Sequence, residues 1–240
     1  MSETDVSVLV VWTTETNATR QMAEAVVAGV ESVDGANCRN VLLERGDEVG
    51  PEEVARYDAL IVGTPVRHRN MHHLVKMFIE AALESSWLTD ETVGMVGGSF
   101  SVGGGHGDAG AGAEMCQLGI LASMAASGLV VVPLPKCTPG FDHAGLHWGP
   151  VGRSGGPKMA PYWLTDAMVE AAHHHGANIA RVAQTLKPRR ADLFARGNVS
   201  PPKEAAKAML NAPQPAGPPA PDANPGQREA PPDSFVSGNP

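Results

Sequence analysis

Val6-Ser7-Val8-Leu9-Val10-Val11-Trp12 runs directly into Thr13-Thr14-Glu15-Thr16-Asn17-Ala18-Thr19. The first seven residues are apolar apart from one serine, and four of them are valine. A run this short and continuous reads as a strand buried on both faces, as in a parallel sheet. The next seven form a polar loop. Behind it Met22, Ala25, Val26, Val30 and Val33 recur at helical spacing, and Gly35 stands where that helix would stop. Strand, polar turn and amphipathic helix together open an α/β unit.

The rest of the chain repeats that unit. Asn37–Leu43 reads as a second strand, Ala59–Gly63 as a third, Thr92–Val96 as a fourth and Leu129–Val132 as a fifth. Pro51-Glu52-Glu53 has the proline and acids of a helix first turn. Leu74–Leu83, Ala113–Ala126 and Pro161–Leu186 read as further helices. A glycine-rich loop, 97–112, follows the fourth strand, and a long Gly/Pro-rich loop, 133–160, follows the fifth. Five strands alternating with helices predict an open five-stranded parallel sheet in a three-layer α/β sandwich. Its expected strand order is 2-1-3-4-5.

Composition sets the limits of this unit. Of 20 prolines, 12 fall in residues 188–240. That segment has few large apolar residues and reads as a Pro/Ala-rich, mostly disordered tail, with one short helix possible at Lys203–Leu210. Residues 1–187 are long enough for a single core. They carry 12 Lys/Arg against 21 Asp/Glu, a balance that argues against a nucleic-acid partner. It leaves room for an anionic cofactor, because helix N-termini and backbone amides hold phosphate without basic side chains. Cys38, Cys116 and Cys137 stand far apart and form no CxxC, so a reducing cytoplasm is the expected compartment. The opening MSETDVSV is polar, unlike a secretory signal, and no 18-residue apolar stretch predicts a membrane span.

In a doubly wound sheet, ligands bind beyond the carboxyl ends of the strands at the topological switch point. For order 2-1-3-4-5 the loops after strands 1, 3 and 4 converge there. The first, Thr14-Glu15-Thr16-Asn17-Ala18-Thr19, offers hydroxyls and the unpaired amides of a helix start, and Asn17 suits a positive φ. On residues alone it fits either a monophosphate site or a Thr-rich helix cap. The second, Gly63-Thr64-Pro65-Val66-Arg67-His68-Arg69-Asn70-Met71, can lay backbone against a flat ring, or be a solvated turn. The third, Ser99-Phe100-Ser101-Val102-Gly103-Gly104-Gly105-His106, spends three glycines where main chain would approach a ligand closely. No GxGxxG or GxxxxGK[ST] is present, and no GxSxG or HExxH. His173-His174-His175 cannot converge on one ion from a helix.

These residues resemble the WrbA-type NAD(P)H:quinone oxidoreductases of the flavodoxin-like superfamily, over about residues 6–187. The most specific match is GTPxRxxNM, here Gly63 to Met71. The Ser99–Gly105 run is similar to the family's Ser/Thr-Gly-rich loop, and the first loop resembles the T-x-T-x-x-T phosphate loop. The resemblance implies a flavodoxin-like fold and non-covalent FMN, with NAD(P)H as electron donor and a quinone-like or other small acceptor. It implies that Thr14, Glu15, Thr16, Asn17, Ala18 and Thr19 surround the phosphate. Pro65, Val66, Arg67, His68 and Asn70, with Ser99, Phe100, Ser101, Val102, Gly103, Gly104 and Gly105, would border the ring system.

On the substrate side it points to Trp87, His106, Ser127, His143, His147 and Trp148. Ser127 stands where the family has a histidine, and Asn17 where it usually has glycine. No catalytic side chain and no metal are expected, since flavin carries the chemistry. A homo-oligomer, dimer or tetramer, is the expected assembly. An electron-carrier flavodoxin, or a scaffold that has lost FMN, is the alternative.

Overall fold

The computed structural model describes residues 4–105, 111–155 and 163–195, together with Gly197, Ala205 and Ala208. His106 and nearly all of the tail, including most of 203–210, lie outside the described residues. The elements run β1 (Val6–Trp12), α1 (Ala18–Glu31), β2 (Ala36–Leu42), α2 (Pro51–Val54), β3 (Ala59–Pro65) and α3 (His73–Phe78). A π turn over Ile79–Leu83 continues α3 into α4 (Glu84–Thr89). Then come β4 (Val96–Gly103), α5 (Ala113–Ala126), β5 (Val130–Val131), α6 (Phe141–Ala144), β6 (Gly145–Leu146), β7 (Gly149–Arg153) and α7 (Asp166–Leu186). A 3-10 turn, Lys187–Asp192, follows.

The fold is the α/β flavodoxin-like sandwich, and its sheet is mostly parallel. Strand order is β2-β1-β3-β4-β7-β6, with β5 pairing β4 off this path. The first four positions follow the expected 2-1-3-4. The sheet nevertheless has seven strands where five were expected, because the fifth position is split. Val130 and Val131 pair only with Val96 and Gly97, at the start of β4. The chain then leaves the sheet, and β7 returns to pair with Ser101–Gly103, at the end of β4. The short β6 lies antiparallel outside β7. Seven residues of the long 133–160 loop, in β6 and β7, therefore belong to the sheet.

Side chains along β1 alternate between two cores, as a period-two strand requires. Val6, Val8, Val10 and Trp12 join Met22, Val26 and Val30 of α1 and Ile179 and Ala180 of α7. Leu9 and Val11 face the other way, onto Val54, Phe78, Leu83, Ile120 and Met124 of the remaining helices. The close of α7 is fixed by Lys187, whose Nζ donates to the Asp5 carbonyl and to Asp58 Oδ2. Arg190 donates to the carbonyls of Val93, Tyr57 and Glu91. Packing onto the body thus continues a few residues past 187.

The fourth strand starts and ends later than the expected Thr92–Val96: of that stretch only Val96 is strand, and β4 runs on to Gly103. Ser99, Phe100, Ser101 and Val102, expected in a loop, lie inside β4 and are buried. Gly97 and Gly98 were read as the start of that loop, but they serve close approach from both sides. A Cβ on Gly97 would meet Met124 Sδ at 2.9 Å, and one on Gly98 would meet Ile179 Cδ1 at 2.7 Å.

Candidate functional site

Three loops meet beyond the carboxyl ends of β1, β3 and β4. The first is held at its root. Leu43 donates its N–H to the Trp12 carbonyl, and Thr13 Oγ1 donates to the Leu43 carbonyl at 3.0 Å. Asn17, the N-cap of α1, takes φ 66° and supplies no side-chain cap to the helix. Its side chain instead faces Arg20. The first-turn amides of α1 are therefore left for another acceptor. Thr14 Oγ1 is shielded from solvent and has no hydrogen-bond partner. Thr16 and Asn17 are exposed, whereas Ala18 and Thr19 are buried under the loop.

The second loop is a tight turn. Arg67 and Asn70 exchange two backbone hydrogen bonds, at 2.8 and 3.0 Å. His68 and Arg69 between them have φ of 47° and 66°. Two consecutive non-glycine residues in the left-handed region store strain, of order 1 kcal/mol or more each. The surrounding structure holds them there. Pro65 closes β3 in the core, and Val66 N–H donates to the Val102 carbonyl at 2.7 Å. A Cβ on Gly112 would lie 2.5 Å from Arg69 Cα, so the chain after the third loop presses on this turn.

The third loop starts after Gly103, the last residue of β4, rather than at Ser99. Gly103 lies against Val66, Gly104 is exposed, and Gly105 takes φ 62°. Arg153, at the end of β7, donates its Nε to the Gly105 carbonyl at 2.8 Å. No sequence signal marked Arg153, because the strand that carries it read as loop. Ser101 Oγ and Phe100 point into packing. Ser101 accepts from Gln117 Nε2, and Phe100 sits over Gly63.

His72 joins the first two loops. Its backbone N–H donates to Thr64 Oγ1 at 2.9 Å. Its Nδ1 accepts from Leu74 N–H as the N-cap of α3, so the ring proton belongs on Nε2. Nε2 lies 2.8 Å from Glu15 Oε1. This hydrogen bond, followed by the charge of Arg67, holds the Glu15 carboxyl below its ordinary range. The sequence marked both residues as near the site but gave no sign that they pair.

Beside this junction a groove of about 850 Å³ runs between α3 and α5. Its rim is Glu15, Arg67, Asn70 and His73, and its walls include Met71, Met77 and Met115. On the α1 side, Asn17 and Arg20 line a shallower hollow with Trp163, which is largely exposed. Arg20 also stacks over Trp12, 5.3 Å from its ring centroid.

The substrate-side residues do not all gather here. Trp87 and Ser127 share a separate hollow between α4 and α5. Ser127 caps the C-terminus of α5, and its carbonyl accepts from Thr92 just before β4. That is the amino end of the sheet, at the opposite end of β4 from the loops. The family resemblance drew both residues to the site, and it carries no information on the direction α5 runs. His143 and His147 are exposed on the segment between β5 and β7, where His147 packs on Phe141. Trp148 donates its indole N–H to Glu114 Oε1 in the first turn of α5, which ties it to an element bordering the third loop.

Burial pushes the Cys38 and Cys116 thiols up to about 12, as inert core thiols require. Among the described residues, no three His, Cys, Asp or Glu side chains gather as a metal site, and no helix is long and apolar enough to cross a membrane.

An open α/β sheet of order 2-1-3-4 with three loops meeting at its switch point is the flavodoxin-like arrangement. No family model matches the chain. A curated flavodoxin of Aquifex aeolicus (strain VF5) is 32% identical over 148 residues, covering 60% of this chain and 72% of that protein. Among solved structures, a WrbA-like flavodoxin from Agrobacterium tumefaciens superposes with a TM-score of 0.57 at 20% identity. That match covers 75% of this chain and 99% of the other. A flavodoxin from the domain Archaea superposes at 0.51 with 19% identity, over 74% and 98%. The chain belongs to the flavodoxin family.

Proposed function

We propose that the three loops hold FMN and that the protein is an FMN-dependent oxidoreductase, passing electrons from NAD(P)H to a quinone-like or other small acceptor. The observation that carries the cofactor reading is the start of α1. An uncapped helix N-terminus and a buried, unpartnered Thr14 hydroxyl fit a phosphate ester, which accepts hydrogen bonds from both. The strained 67–70 turn and the Gly103–Gly105 backbone, brought together by Val66, fit the two sides of a flat ring system. FMN, when bound, supplies the reversible electron transfer.

In this reading the chain's own residues bind and orient. Thr14, Thr16 and Thr19 with the first-turn amides hold the phosphate. Arg67 puts positive charge beside the second loop, and the 103–105 amides offer donors at a ring edge. The WrbA-like solved structure and the GTPxRxxNM match support the oxidoreductase reading. Trp148 and His143 remain our candidates for acceptor contact, from the sheet edge.

A second reading, a one-electron carrier to protein partners, draws on the split fifth strand. β6 and β7 take seven residues of the 133–160 segment into the sheet, which leaves less of it to build a substrate pocket. One experiment separates them. The purified full chain is titrated with FMN by absorbance, then given NAD(P)H and a simple quinone. A flavin spectrum with quinone-dependent NAD(P)H oxidation is the expected result. A flavin spectrum without turnover supports the carrier, and no flavin binding overturns both.

A further inference from the structure

Glu15 is an acid placed where an anion site would least tolerate one. It lies two residues before the N-cap of α1, in the loop that leads into the uncapped helix start. The positive end of a helix attracts carboxylates as readily as phosphates. No acid stands in the first turn of α1 and no side chain caps it, so a loose Glu15 carboxylate would be the nearest competitor for its amides. The structure shows it turned elsewhere. Glu15 Oε1 accepts a hydrogen bond from His72 Nε2–H at 2.8 Å, while Arg67 and His73 add attraction.

His72 is built for this task. It is only 4% exposed, and its position is fixed from three directions. Its backbone is held by Thr64 Oγ1, its Nδ1 by Leu74 N–H, and its ring rests on His73 at 4.2 Å between centroids. An imidazole pinned in this way presents one donor in one direction. Glu15 is the flexible partner, half-exposed at its tip, so the rigid group decides where the carboxylate goes.

We propose that His72 is a positioning residue for the anion site, drawing the Glu15 carboxylate away from the N-terminus of α1 so that a phosphate ester can occupy it. This rests on the FMN reading above for the identity of the ester, though the geometry concerns phosphate alone. It also accounts for an acid within a phosphate loop: the same carboxylate ties the first loop to the second once its charge is diverted.

The test uses the full chain free of flavin and compares FMN with riboflavin, which has the ring but no phosphate. His72→Asn keeps a side-chain acceptor for Leu74 N–H, so α3 retains its cap, but it is too short to reach Glu15. Circular dichroism and thermal unfolding confirm that the variant is folded. FMN affinity should fall on the order of tenfold, the scale of one unscreened like charge near a phosphate. Riboflavin affinity should change less than about twofold. Adding Glu15→Gln to His72→Asn should restore most of the FMN affinity.

Equal loss for both flavins would overturn the proposal, as would a double variant that recovers nothing. Unchanged FMN affinity in His72→Asn would also overturn it, because Arg67 would then hold the carboxylate unaided. If the unmodified chain binds neither flavin, the FMN reading fails. Inorganic phosphate, followed through the backbone amide resonances of residues 16–20, then decides the matter. A response weakened in His72→Asn and recovered in the double variant sustains the positioning role, and no response rejects it.

Discussion

On one face of the sheet, α1 and α7 cross so closely that a Cβ on Gly29 would stand 1.8 Å from the His173 carbonyl oxygen. A Cβ on Gly176 would stand 2.1 Å from that of Val26. On the other face, α3 and α5 leave the groove of about 850 Å³ between them. The closed face is built from small residues, with Ala23, Ala171, Ala172, Ala177, Ala180 and Ala183 buried against the valines of β1. The open face uses long side chains, and two of them, Met77 and Met115, remain 46% and 61% exposed. Small residues let two helices touch backbone to backbone, whereas long flexible ones hold them apart. The closed face therefore carries the rigidity that fixes α1 under the first loop. The open face leaves the mouth of the site accessible.

The strongest way to break this contrast is Gly29→Val. The clash is with a main-chain carbonyl, which cannot rotate aside without unlocking α7. A loss of about 3 kcal/mol or more is expected, read from urea unfolding. A loss below about 1 kcal/mol would mean that the two helices separate easily, and the contrast between the faces would fail.

His175 gives the closed face a pH signature. It lies wholly buried on α7 against Gly98, and both ring nitrogens lack a hydrogen-bond partner. Burial pulls its pKa from 6.5 to about 4. The unfolded chain takes up a proton below about pH 6.5, and the folded chain only near pH 4. Between those values the unfolded state binds more protons, so stability falls as the pH drops through this window. The contribution lost by pH 4 is about 3 kcal/mol. Urea unfolding at several pH values should show that slope, and His175→Leu should flatten it. An unchanged slope in the variant would locate the acid sensitivity elsewhere.

The same contrast governs what could be read from the sequence. Continuous apolar runs gave away β1 and β3, and α5 occupies the expected 113–126. Asn17 takes the positive φ that its place in the loop called for. The tight packing of the closed face left no local sign, since Gly29 and Gly176 lie within stretches read simply as helix. Gly97, which faces Met124, and Gly98, which faces Ile179, were read out of β4 because a glycine pair looks like loop, and Ser99–Val102 went with them into an expected flavin loop. The split of the fifth strand was hidden too, since Gly149-Pro150-Val151-Gly152 has no strand-like composition and owes its pairing to the exposed end of β4. The Glu15–His72 contact spans 57 positions. Topology says that the loops carrying them meet, but no local pattern says which side chains join.

The open face supplies the smallest expected effect and the sharpest control. Met115 lines the groove from α5 and Trp87 lines its neighbour from α4, and both are more than half exposed. Truncating such residues removes little buried area and leaves no closed cavity. Met115→Ala and Trp87→Ala should each change the stability of the monomer by no more than about 1 kcal/mol. The measurement is urea unfolding repeated over a tenfold range of protein concentration. If either variant loses much more, and the loss in the parent chain depends on concentration, the groove is covered in solution by another copy. The two faces would then differ in what packs on them, a helix of the same chain on one and a neighbour on the other, rather than in how tightly they close.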